Sequence, residues 1–195
     1  MMVDYKSIKE YVMKIHSNHP FAGYDHVERV HGICMELSQG LDVDEDVLRV
    51  AAYLHDIAVP IYGAEKHYEK ALDVVEGLLR DWGLPEEKYD AVFEAIRTHT
   101  RYSNSEPKSL EAKILKDADG IDYLGAVGIL RGVLRGYTSG KYKGNVSTNG
   151  KILLNNLIDT ARGTFSTEKG KKIAEERMDF IKNFIERLDG EINID

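Results

Sequence analysis

The stretch Ala51-Ala52-Tyr53-Leu54-His55-Asp56-Ile57 ends an apolar helical run with a histidine directly followed by an aspartate. Asp44, Glu45 and Asp46 upstream suit the positive end of a helix dipole. Val47, Leu48, Val50, Ala51 and Leu54 continue from them, so the spacing predicts a helix over about 45–58, with Pro60 ending it. Leu48, Ala51, Ala52 and His55 fall on one face, and the two alanines are small enough to admit a neighbouring helix or a metal centre. A neutral imidazole beside a carboxylate is the mixed nitrogen and oxygen set that divalent transition metals accept. Alone, the pair also reads as a polar helix end, so the remaining candidate ligands decide between the two.

Working outward, Tyr5, Ile8, Val12 and Ile15 recur at helical spacing after Asp4, an N-cap type, and predict a helix over about 4–17. A second helix begins at Asp25, with Val27, Val30, Cys34 and Leu37 as its apolar stripe and Gly40 placed to end it. His26 sits in its first turn on the same face as Val30, Ile33 and Leu37. Beyond the central helix, His67, Ala71, Val74, Val75 and Leu78 predict a helix over about 64–80. Pro85 opens another that carries Tyr89, Val92, Ile96 and His99. Ser109 is placed to cap a helix containing Ile114, Leu115, Ala118, Ile121 and Leu124.

Residues 136–150 hold four glycines, two lysines and several Ser, Thr and Asn residues, a composition that favours a mobile excursion. The P-loop pattern needs one more residue between Gly136 and Gly140 and a Ser or Thr where Tyr142 stands, so that reading fails. Lys141, Tyr142 and Lys143 either close over a nucleotide or form part of a surface excursion. Leu153, Leu154, Leu157 and Ile158 suggest a short helix, and Ile173, Ile181, Phe184 and Leu188 a long terminal one. Strand-like alternation is nearly absent. The expected fold is all-α: one domain over 1–195, a helical bundle with a Gly-rich excursion near 136–150.

At 195 residues the chain can bury a substantial core as one domain. Its single cysteine, Cys34, excludes an internal disulfide, and neither a leader nor an apolar run of membrane-spanning length stands out, which leads to an expected cytoplasmic location. A net charge of −7 argues against a broad nucleic-acid surface. A phosphate-bearing substrate would therefore need local help from bound cations or a few placed basic residues. Apolar residues on the terminal helix suit an interface as readily as a core, so a homo-oligomer is left open.

Of the seven histidines, His26, His55, His67 and His99 stand where a helix starts or ends beside an apolar face. His16, His19 and His31 lack that combination and read as surface or packing residues. Carboxylates then come from Lys116-Asp117-Ala118-Asp119-Gly120-Ile121-Asp122-Tyr123, three aspartates within six residues of a largely apolar helix. Ionised carboxylates are costly to bury without a compensating cation or several donors. A bound cation accounts for the cluster; capping or solvent exposure accounts for some of its members.

The ordered set Asp25-His26-Val27-Glu28-Arg29-Val30, Leu54-His55-Asp56-Ile57 and Asp117-Ala118-Asp119-Gly120-Ile121-Asp122 resembles the H…HD…D signature of the HD superfamily of metal-dependent phosphohydrolases. Leu124-Gly125-Ala126-Val127-Gly128 and the terminal segment 167–186 are similar to small bacterial and archaeal members that include nucleoside triphosphate pyrophosphohydrolases. The resemblance implies His26, His55, Asp56 and Asp119 as metal ligands, with Asp119 preferred over Asp117. It implies His67 and His99 as ligands of a second ion or as acid/base groups. The implied cofactor is one or two divalent ions, Mn, Ni, Co, Fe or Mg. Val59 and Gly120 depart from the lysine and arginine that some of those branches carry.

The expected reaction is hydrolysis of a phosphate ester or anhydride of a nucleotide or similar small molecule, with metal-bound water as nucleophile. A (deoxy)nucleoside triphosphate pyrophosphohydrolase is the narrower form of this expectation. Arg29, Asp122 and Arg131 are the candidate substrate contacts, with Lys66, Arg97 and Arg101 as further cations. The competing reading is a regulatory module that binds a metal or nucleotide without turnover.

Overall fold

Asp4 caps the first helix as its position requires: the side chain accepts the Ser7 N–H, and α1 runs Tyr5–His16. The computed structural model describes residues 2–17, 19, 22–140 and 145–192, and among the described residues every regular element is helical. α2 covers Tyr24–Leu37, α3 Glu45–Leu54, α4 Val59–Tyr62, α5 His67–Asp81 and α6 Tyr89–Thr98, the last entered through a 3-10 turn at Glu86–Lys88. α7 covers Leu110–Asp122, α8 Gly125–Thr138, α9 Val146–Ala161 and α10 Glu168–Ile192. The all-α class expected from the periodicity holds. The chain divides into two compact units, Met1–Asp119 and Gly120–Asp195.

In the first unit α3 is the central element, packed against α1, α2 and α6. Asp44 caps it by accepting the Asp46 and Val47 N–H groups. From Val47 onward nearly every side chain is buried, well beyond a single stripe, because neighbours cover the helix on several sides. Ala51 and Ala52 are fully buried, as their size suggests for a crowded crossing.

The central helix is shorter than its periodicity predicts. It stops at Leu54, His55 is its C-cap, and the chain continues in turns closed by Ile57 N–H to Leu54 O and Val59 N–H to Asp56 O. Pro60 does not end this helix; it lies in the first turn of α4, where its missing N–H leaves no bond unmade. The early stop matters because it leaves carbonyls of the last turn without helical partners, and one of them, Ala52 O, becomes the anchor of His55.

In the second unit α8, α9 and α10 pack against one another. α8 spans a stretch that composition alone does not mark as helical. Close packing overrides the low helix propensity of glycine there. A Cβ at Gly128 would lie 2.1 Å from the Tyr123 carbonyl oxygen, and one at Gly132 would press on Leu153 and Leu157 at 3.2 Å. The expected excursion near 136–150 is shorter than its composition suggests: α8 extends through Thr138, and α9 begins at Val146 behind an Asn145 cap. Lys141, Tyr142 and Lys143 lie outside the described residues.

Candidate metal centre

Four histidines reach one region of the first unit, three of them by a shared local device. His55 and His99 are the C-cap residues of α3 and α6, and His67 opens α5. Each sets its ring nitrogen Nδ1 against the carbonyl oxygen three residues back: His55 on Ala52 at 2.8 Å, His67 on Ala64 at 2.6 Å, and His99 on Ile96 at 2.7 Å. A carbonyl only accepts, so Nδ1 carries the proton in all three. In the neutral ring Nε2 is then a bare lone pair, the form a metal requires. His26, in the first turn of α2, is 1% exposed and presents its Nε2 to the same region.

Asp56 joins these rings into two groups through different oxygens. Its Oδ2 lies 3.4 Å from His26 Nε2 and 3.8 Å from His55 Nε2. Its Oδ1 lies 3.2 Å from His67 Nε2 and 3.6 Å from His99 Nε2. Within each group the two Nε2 atoms are 3.2 Å apart. Asp119 Oδ1 stands 3.5 Å from His26 Nε2, on the His26–His55 side.

These separations suit the edges of a coordination shell, since ligands roughly 2.0–2.2 Å from an ion at tetrahedral to octahedral angles stand roughly 3–3.6 Å apart. The donor chemistry makes the same point. With both Nδ1 protons committed to carbonyls, the His67–His99 contact brings two lone pairs together unless a proton or a metal ion lies between them. The residues present therefore fit a divalent ion in each group: His26, His55 and Asp56, joined by Asp119, and Asp56, His67 and His99.

The titration behaviour follows from burial and neighbours. Burial holds His55 well below the ordinary histidine range, and His67 is also lowered by burial, more than the Asp56 charge raises it. Burial would push the Asp56 carboxyl up, but the neighbouring imidazoles, His55 foremost in charge and His26 and His99 through hydrogen bonds, hold it well below the carboxylate range. His99 moves the other way. Burial lowers it, yet its hydrogen bond to Asp56 and the Asp119 and Asp56 charges prevail and raise it. The region thus keeps an ionised carboxylate among imidazoles that are mostly neutral.

The other residues singled out in the sequence have different surroundings. Asp117 is buried, at 1% exposure. Arg29 bonds the exposed Asp25 carboxylate one helical turn back, at 2.7 Å. In the second unit Arg131 and Asp122 meet each other: Nη1 donates to Asp122 Oδ2 at 2.5 Å, both side chains are buried, and the guanidinium lies over the Tyr123 ring at 4.3 Å. His16 is buried as well, its Nδ1 on the Ala22 carbonyl at 2.6 Å, and burial lowers it although the Asp56 charge acts the other way. Of the two readings given to His16, surface or packing, its burial gives packing. The signal was present in the i, i+4 line Ile8, Val12, His16.

Residues 23–124, just over half of the chain, match the HD domain family. The Bacillus subtilis protein YpgQ is 26% identical over 181 residues, covering 88% of this chain and 85% of that protein. Among solved structures, a predicted HD superfamily hydrolase from an uncultured Thermotogales bacterium is 28% identical with a TM-score of 0.71, covering 98% of this chain and 94% of that one. The crystal structure of YpgQ in complex with ADP is 25% identical with a TM-score of 0.73, covering 96% of this chain and 94% of that one.

Proposed function

Because the chain belongs to the HD domain family, we propose that it is a metal-dependent phosphohydrolase acting on a nucleotide or a similar small phosphate compound. The observation that carries this reading is the division of Asp56, one carboxylate oxygen facing the His26–His55 pair and the other the His67–His99 pair. Asp56 would thus belong to both ligand sets, the one with His26 and His55 and the one with His67 and His99. When bound, such ions supply a nucleophilic water at neutral pH and withdraw charge from the phosphoryl group under attack.

The protein's own residues do the remaining work. His26, His55, Asp56 and Asp119 form the first ligand set, and Asp56, His67 and His99 the second. The carbonyls of Ala52, Ala64 and Ile96 fix the tautomer and orientation of three of the imidazoles, so that Nε2 is already aimed before any ion arrives. Asp56 and Asp119 supply two negative charges that offset a divalent ion, which makes their partial burial tolerable. Arg29, 31% exposed in its side chain and held to the exposed Asp25 by a pair that an anion can displace, is the candidate phosphate contact near His26. Asp122 and Arg131 neutralise each other, and we assign that pair an architectural role. A nucleotide is favoured as substrate because the relative YpgQ was crystallised with ADP, and a nucleoside triphosphate pyrophosphohydrolase is the narrower form of the proposal.

The test combines metal analysis of the purified protein with release of phosphate or pyrophosphate from a nucleotide panel under Mn, Co, Ni, Fe and Mg. The expected result is turnover with one metal and nucleotide, lost together with metal content in Asp56→Ala. No turnover on any nucleotide, with Asp56→Ala leaving metal content unchanged, would overturn it.

A further inference from the structure

A second group of aromatic and charged side chains occupies other faces of the same helices. His31 follows His26 on α2 by five residues, about 140° around the axis, and Tyr53 precedes His55 by two. The His31 and Tyr53 rings stack, with centroids 4.5 Å apart and 19° between planes. Together with α1 they border a cavity of about 550 Å³, within the size range of small-molecule sites. Tyr5 and Tyr24 form part of its wall. Its charged lining residues are Lys6, Lys9, Glu10 and Arg49: Lys6 and Glu10 pair with each other at 3.9 Å, Lys9 Nζ is 5.4 Å from the centre of the Tyr53 ring, and the Arg49 guanidinium is 5.9 Å from that of Tyr5.

The chemistry of this lining is specific in two respects. First, its floor is uncharged and flat. Burial, helped by the Arg49 charge, brings His31 down to about 4, so the imidazole is neutral near pH 7, and its Nε2 is buried without a hydrogen-bond partner. Leaving such an atom unpaired is costly. Second, Lys9 and Arg49 are paired with surface carboxylates, Lys9 to Glu28 at 3.3 Å and Arg49 to Glu45 at 3.2 Å, and Lys9 also bonds the Tyr53 hydroxyl. Exposed pairs of this kind contribute little, so an anion entering the cavity can displace them. A bare anion would leave the aromatic wall unused, and a neutral aromatic would leave the cations unused.

We propose that this cavity is a binding site, separate from the metal centre, for a small organic anion with a planar aromatic body and a phosphate, sulfonate or carboxylate group. The flat body lies against Tyr24 and the His31–Tyr53 stack, and the anionic group meets Lys9 and Arg49. Arg49 contributes a planar fork of donors suited to such oxyanions, and Lys9 a single point charge. The site does not depend on hydrolysis at the metal centre.

The probe is 8-anilinonaphthalene-1-sulfonate, titrated by fluorescence into the folded, metal-loaded protein. The expected result is saturable one-to-one binding, weakened about tenfold by Lys9→Glu and by Arg49→Glu, as loss of a charge-assisted contact predicts. Tyr24→Ala should weaken it further, and Asp56→Ala should leave it unchanged. Circular dichroism establishes that each variant is folded; Lys9→Gln and Arg49→Gln serve in place of a reversal that does not fold and should weaken binding in the same direction. Equal affinity in wild type and the Lys9 and Arg49 variants overturns the proposal. Loss of binding in Asp56→Ala also overturns it, since the anion would then be seated at the metal centre.

Discussion

Two regions of this protein bury ionised carboxylates, and they do so in opposite ways. In the second unit Asp122 is matched by Arg131 at 2.5 Å, and the guanidinium also lies on the Tyr123 ring, so the charge is neutralised by a partner supplied by the chain itself. In the first unit Asp56 is surrounded by four imidazoles, and three of these have their Nδ1 protons committed to carbonyls. No Lys or Arg pairs with Asp56 among the described ion pairs. Buried charge that carries its own counter-ion is architecture. Buried acceptors gathered around a carboxylate await a cation from outside, and that contrast separates a binding centre from a salt bridge more surely than burial does.

The contrast is open to five experiments. Arg131→Met should have the largest effect, a loss of about 3–5 kcal/mol of stability, because it strands the Asp122 carboxylate in the interior. The double variant Arg131→Met/Asp122→Leu should recover much of that loss in a thermal melt, and failure to recover would mean that the pair does more than neutralise itself. Asp56→Ala should behave in the opposite way. Without added metal its melting temperature should stay near that of wild type or rise, as happens where a binding centre is relieved of strain. Its affinity for metal should fall by more than the roughly hundredfold typical of losing an outer-shell partner.

Chelation extends the same comparison. Removing metal should cost wild type about 2.7 kcal/mol where the ion had been held at a hundred times its Kd, and should leave Asp56→Ala unmoved. Separately, His67→Ala and His99→Ala should each lower metal stoichiometry from two ions to one, because His26, His55 and Asp119 remain; an unchanged count by elemental analysis would remove the second ion from the proposal. The last comparison concerns a half-buried histidine that avoids charge altogether. His31 titrates at about 4 in the fold and near roughly 6.5 when unfolded. The unfolded chain therefore binds the extra proton first, and stability present above about pH 6.5 should fall as the pH drops toward 4. His31→Phe should flatten that slope in melts recorded across this range.

Much of the first unit was legible because its signals are local. Caps at Asp4, Asp44 and Ser109 stand where the side-chain types require, and each accepts the backbone N–H that a capping residue accepts. The apolar lines ending in His55 and His99 became helices that end beside those residues. α3 ends four residues before its expected end because proline is compatible with both the end of one helix and the start of the next. α8 was not among the expected helices, and its glycines find their reason only in the packing of Tyr123, Leu153 and Leu157 against them.

The candidate site divides along the same line. By itself the sequence determined the helical class, the caps, and the presence of imidazoles and carboxylates at helix ends, all set by spacing along one helix or by one turn of backbone. Only the tertiary structure decided that Asp56 divides its oxygens between two histidine pairs, that Asp119 stands beside His26, and that Asp122 and Arg131 satisfy each other. His26 and His55 are 29 residues apart in sequence, and His67 and His99 are 32 apart. Helical periodicity repeats every 3.6 residues and carries no memory over such distances, whereas the packing of α2, α3, α5 and α6 brings those atoms together.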